Sequence, residues 1–175
     1  RTQLEEIDVG EKIDDFDLLT RLGRGAFATV FMAPQQSMQR IVAIKISADR
    51  GNEPQMLAQL DHPHIVRVCD VDARGRYAVF EYVDGESLLH RLRRTGPVSA
   101  TEAVDWMIQV AGALEYAWER GVIHRDIKPS NIVVAPWGRA KLLDFGLAQQ
   151  RAETDAAPIP VPAGAVNLNR RDRAV

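Results

Sequence analysis

The sequence predicts an α+β chain, with a five-stranded antiparallel unit carrying one short helix and then an incomplete, mainly helical unit. Three observations predict it. Short apolar or β-branched runs, separated by glycine or polar turns, fill residues 16–83. A helical stripe with signals at both ends fills residues 99–121. After Ala148 the composition changes abruptly to Ala, Pro and Arg. The implied divisions are an extension at 1–15, a strand-rich unit at 16–83, a helical unit at 84–148 and an irregular tail at 149–175.

In chain order, FDLLTRLG, AFATVFMA and RIVAIKIS read as the first three strands, with Gly-Arg-Gly and PQQSMQ as their turns. Asn52 is placed to cap a short helix with Pro54 in its first turn, turning Met56, Leu57 and Leu60 inward. HIVRVCDV and RYAVFEYV supply two more strands around Arg74-Gly75. SLLHRLRR is a short helix. The long helix begins at a capping box of Ser99 and Glu102 and ends at Gly121 in the C′ position. Its expected buried stripe is Ala103, Met107, Val110, Ala111, Leu114 and Trp118. NIVV and AKLLDF form a hairpin around Pro136-Trp137-Gly138.

Bulk composition excludes several classes. With 46% hydrophobic and 26% charged residues and a net charge of -2, the chain reads as soluble, with no signature of nucleic-acid or anionic-membrane binding. No run approaches the roughly 20 apolar residues of a membrane span, and the polar, acidic amino end is no signal peptide. One cysteine, Cys69, permits no internal disulfide, which suits a reducing, cytoplasmic compartment. A membrane anchor elsewhere in a longer protein stays compatible with this. The sequence carries no mark of oligomeric state.

The chemistry concentrates in four places. LGRGAFATV joins two strands through Gly23 and Gly25, which either let backbone N–H groups approach a phosphate or simply turn a hairpin. VAIK puts Lys45 inside an apolar strand, where an ammonium needs an anion; Glu53, opening the following helix, is the candidate carboxylate. In HRDIKPSN, Asp126, Lys128 and Asn131 share one loop. A carboxylate for a hydroxyl proton, a cation for phosphoryl oxygens and an amide oxygen for Mg²⁺ suit phosphoryl transfer. LLDFG delivers Asp144, a hard oxygen ligand, to the end of a strand, and Gly146 lets the chain turn away. His62-Pro63-His64 reads as a helix-to-strand loop rather than a metal pair, since no third ligand is near in sequence.

In this order LGRGAFATV, VAIK, a helix glutamate, FEYVDG, HRDIKPSN and DFG resemble the eukaryotic-type serine/threonine protein kinases, including the bacterial ones, from about Phe16 to Ala148. The resemblance implies a protein-kinase-like fold with an N-lobe and a partial C-lobe. It further implies ATP and Mg²⁺ as cofactors and a protein Ser/Thr hydroxyl as acceptor. By it, Leu22, Gly23, Gly25 and Val30 cover the nucleotide, and Lys45, braced by Glu53, holds the α and β phosphates. Asp126 is the catalytic base beside Lys128; Asn131 and Asp144 are the metal ligands. Phe80 is the gatekeeper, Glu81 and Val83 present hinge backbone to adenine, and Ala43 and Val133 sandwich the ring. Arg125 is the arginine that pairs with an activation-loop phosphate in many relatives, and Thr154 marks a position for such a phosphate.

The sequence departs from the family in three respects. Ala28 replaces the third glycine of the loop, and only seven residues separate Lys45 from Glu53. No A-P-E follows Gly146, nor do the helices of a full C-lobe, so the chain reads as truncated after DFG. The long helix is then expected to leave apolar surface uncovered. The alternative reading is a non-catalytic nucleotide-binding or partner-binding pseudokinase fragment, or a shifted reading frame after Ala148.

Overall fold

Alternating burial along two long strands builds the first half of the molecule. In the computed structural model, which describes residues 7–25, 28–47, 53–145 and 149–150, β1 (Lys12–Ile13) and β2 (Phe16–Asp17) form a small hairpin. Then come β3 (Thr20–Arg24), β4 (Ala28–Gln35), β5 (Arg40–Ser47), α1 (Glu53–Leu57), β6 (Val68–Val71) and β7 (Tyr77–Glu81). All strand pairs of this sheet are antiparallel, in the order β1-β2-β4-β5-β7-β6, with β3 on β4. Phe31, Ala33, Val42, Ile44, Ile46 and Val79 pack with Phe16 and Leu18 on one face. Ala78 and Phe80 alternate onto the other face and join Leu57 and Leu60 in a core that continues into the second half. Met56 is buried as well.

The second half comprises β8 (Glu86–Ser87), α2 (Leu88–Thr95), α3 (Ala100–Glu119), β9 (Val122–Ile123), β10 (Ile132–Ala135), β11 (Arg139–Leu142) and β12 (Gln149–Gln150). The Ser99–Glu102 capping box closes in both directions, and Gly121 leaves α3 with φ +75°. The β10–β11 hairpin turns at Pro136–Gly138 as the sequence suggests.

Four sequence expectations need correction. Among the described residues the sheet has seven strands rather than five: Lys12–Ile13 brings part of the expected 1–15 extension into it, and FDLLTRLG divides into β2 and β3. HIVRVCDV is a strand only over Val68–Val71, because His64–Val66 turns instead to β11: Val66 N–H donates to Leu142 O (3.0 Å) and Leu142 N–H to His64 O (2.8 Å). The tail begins in order, since Gln149 and Gln150 pair with Ile123 and Val122. The buried face of α3 is Trp106, Val110, Ala113 and Ala117, sharing only Val110 with the expected stripe; Met107 is exposed, as are Val104 and Ile108. The helix is apolar on more than one face, so its neighbours, not its periodicity, select the buried one.

Among the described residues no helix is long and apolar enough to cross a membrane. Asn52, Gly146, Thr154 and the side chain of Glu53 lie outside what is described.

Candidate active site

Two strands running through apolar surroundings aim the charged groups. β5 carries Lys45, whose Cα partners Val30 on one side and Ala78 on the other. Its side chain is only 18% exposed, so its ammonium needs an anion. It finds Asp144, with Nζ 2.9 Å from Oδ1. This carboxylate is 99 positions away, supplied from just beyond β11; the side chain of Glu53, the partner expected from sequence, lies outside the described residues. Asp144 sits at φ +56°, a left-handed conformation uncommon outside glycine, and this turns its carboxylate out of the strand path.

The loop between β9 and β10 brings the second group together. Lys128 Nζ donates to Asp126 Oδ2 at 2.6 Å, and Asn131 Nδ2 donates to the same oxygen at 3.0 Å and to Asp126 O at 2.9 Å. The Lys128 ammonium, seconded by Asn131, holds the Asp126 carboxyl below its usual range. Arg125 takes φ +66° and faces solvent. Asn131 is buried, and with its amide nitrogen committed to Asp126, its Oδ1 is the oxygen left to accept.

The two groups are joined through backbone. Leu143 N–H donates to Asn131 O at 2.8 Å, and buried His124 Nε2 bonds Leu143 O at 3.0 Å. Asp126 N–H donates to His124 Nδ1 at 3.2 Å, so these partners assign the proton to Nε2. Burial pushes the His124 imidazole below its usual value, which keeps that neutral form. Phe145, fully buried, lies with its ring 4.4 Å from His124, centroid to centroid. His124 and Phe145 thus hold the residues flanking Asp126 and Asp144, a positioning task visible in the sequence only as two more letters of HRD and DFG.

Around this cluster, Gly25 N–H donates to Ala28 O at 2.8 Å to close the β3–β4 turn, and Gly23 pairs with Val30 across a register shift. Leu22 is exposed on β3. Ala43 lies opposite Phe80 on β7, and Val83 packs at the edge of the core that contains Phe80. Val133 is buried on β10. Gly85 presses on that strand so closely that a Cβ there would meet Val134 O at 2.5 Å.

The donor set fits Mg²⁺, which favours one or two protein oxygens with the remainder from phosphate and water. Asn131 Oδ1 and the Asp144 carboxylate are hard oxygens on adjoining backbone. His62 and His64 gather no such set: among the described residues no three His, Cys, Asp or Glu side chains group as a metal site.

Comparison with known proteins gives this arrangement its context. Residues 16–161 match the family described as protein kinase domain, beginning where the motifs begin and continuing past Ala148. The probable serine/threonine-protein kinase PknB of Lactococcus lactis is 30% identical over 168 residues, covering 88% of this chain and 27% of that protein. Serine/threonine-protein kinase PknK of Mycobacterium tuberculosis is 39% identical over 147 residues (77% and 13%), and PrkC of Bacillus subtilis 34% over 160 (83% and 25%). The chain therefore spans between 13% and 27% of the length of these relatives.

Proposed function

The chain belongs to the protein kinase domain family, and from that premise we propose that it carries the nucleotide-binding and catalytic groups of an ATP-dependent serine/threonine kinase. The carrying observation is the Lys45–Asp144 contact, which brings the sheet and the helical half together at one carboxylate. In this reading Lys45 holds the α and β phosphates under Gly23, Gly25 and Val30. Ala43, Leu22 and Val133 enclose the adenine, and the segment from Phe80 through Glu81 to Val83 meets its edge. Asn131 and Asp144 would hold Mg²⁺, which when bound neutralises charge on the phosphates.

Asp126 orients a Ser or Thr hydroxyl of a protein substrate. The hydroxyl oxygen forms its bond to the γ-phosphorus as the bond from phosphorus to the β-phosphate bridge breaks, and the hydroxyl proton passes to the Asp126 carboxylate. Lys128 and Asn131 fix that carboxylate and keep it ionised at neutral pH. Lys128 also places a cation beside the phosphoryl oxygens. The cytoplasm, where ATP and reduced thiols coexist, is the proposed location.

The test is transfer of labelled phosphate from ATP to a generic basic protein, with Asp126→Asn alongside. The expected loss is about 10²–10⁴ in rate with nucleotide binding retained. Transfer that survives Asp126→Asn contradicts the role. Saturable Mg²⁺-ATP binding with no transfer by the unmodified chain favours a non-catalytic nucleotide-binding module.

A further inference from the structure

Lys141 takes no part in the chemistry above, yet it resembles Lys45: a lysine in mid-strand, 15% exposed, in an apolar run. An ammonium so shielded is costly unless paired. Lys141 Nζ reaches Glu81 Oε1 at 2.5 Å and lies 3.4 Å from Ile65 O. The same Glu81 oxygen accepts Arg67 N–H at 2.8 Å, and Glu81 N–H in turn donates to Arg67 O at 3.0 Å. Glu81 is thus locked by side chain and main chain at the end of β7, where the chain leaves the sheet for the helical half.

The other end of that crossing is fixed as firmly. Gly85 lies so near β10 that a Cβ would stand 2.9 Å from both Ala135 Cα and Val133 Cγ1. Glu86 and Ser87 then pair with Val134 and Val133. Val133 in turn faces Lys141 across the β10–β11 hairpin. One hairpin therefore grips both ends of the segment from Glu81 to Gly85, at one end by charge and at the other by bare contact.

We propose that Lys141 is a positioning residue: through Glu81 it tethers the crossing segment to β11 and keeps the two halves closed around the nucleotide without touching it. The effect on the nucleotide rests on the function proposed above; the tether itself does not. Opening the cleft then requires separating Glu81 from Lys141 or swinging both together. Lys141→Met preserves length and apolar packing while removing the charge, and Glu81→Gln removes the opposite one. Lys141→Arg restores a cation.

The experiment follows amide hydrogen exchange in this chain without ligand, with β4 and β5 as internal reference, and the release of a fluorescent ATP analogue with Mg²⁺ by stopped flow. In Lys141→Met and in Glu81→Gln, the amides of Arg67 and Glu81, each of which donates to the other residue, should exchange about tenfold faster while the reference strands do not change. Analogue release should be several-fold faster, and Lys141→Arg should return both toward the unmodified values. Unchanged exchange at Arg67 and Glu81 in both neutral variants overturns the proposal, whether or not nucleotide binds. So does a defect that Lys141→Arg fails to reduce. Faster exchange in a chain that binds no analogue supports the tether and removes the nucleotide reading alone.

Discussion

Two lysine–carboxylate pairs join the sheet to the strand β11 region, and they differ in where the carboxylate lies. Lys45 reaches from β5 to Asp144, which is 47% exposed and held out by a positive φ. Lys141 reaches from β11 to Glu81, which is 30% exposed and takes a backbone N–H on the same oxygen. In both, an apolar strand forces a buried ammonium to find an anion. In the first pair the carboxylate is half exposed, which in the proposed function leaves room for phosphate and a divalent cation. In the second, Glu81 also accepts Arg67 N–H, and the Lys141 ammonium lies 3.4 Å from Ile65 O, so each partner carries a further protein contact. One rule of burial therefore yields two contacts of different exposure, the first proposed for the chemistry and the second for positioning.

The largest break in that comparison is Lys45→Met. Removing a charge aimed at the transferred phosphates should reduce phosphate transfer by about 10²–10³, whereas Lys141→Met should cost less than about tenfold. Comparable losses in the two variants would erase the distinction. Next is Gly85→Ala. The added methyl meets backbone at Val134 O and Ala135 Cα as well as Val133 Cγ1, so overpacking should lower stability by about 1–3 kcal/mol, read as a fall in the urea midpoint at constant slope.

A smaller effect sharpens the cleft side. His124 is neutral in the fold because burial lowers its pKa from 6.5, and His62 is lowered for the same reason. The unfolded chain then binds more protons than the native one as pH falls through about 6.5, so native stability declines on acidification from pH 7.5 toward 5. Protonation at His124 Nδ1 also removes the acceptor for Asp126 N–H. Urea unfolding across that range should show the slope in the unmodified chain and a shallower one in His124→Asn. The smallest effect is Ile108→Glu, on the face of α3 that no described residue covers. It should change stability by within about 0.5 kcal/mol.

What could be read from sequence follows from how local each determinant is. The Ser99–Glu102 box, the Gly121 terminus and the Pro136–Gly138 turn depend on neighbours within a few positions, and they formed where expected. Burial on an apolar strand implies an anionic partner for Lys45 without naming it; the sequence points to Glu53, whose side chain lies outside the described residues, and no local pattern announces the contact with Asp144. The same burial constrains Lys141 in AKLLDF, where no motif marks it. Two-residue strands such as β8, β9 and β12 are too short to carry a period. The face of α3 depended on tertiary packing. Gly85 stands in the sequence only as the last letter of FEYVDG; its contact with β10 shows what its missing Cβ is for.

The central claim is that Lys45, Asp126, Asn131 and Asp144 surround a single Mg²⁺-bound ATP. The most direct measurement is a thermal-shift titration of the chain with ATP, with and without Mg²⁺, beside Lys45→Met and Asp144→Asn, since a ligand that binds the native state must raise its melting temperature. A saturable, Mg²⁺-dependent rise that both substitutions abolish is the predicted result. No rise in the unmodified chain, or a rise of equal size in both variants, would contradict it.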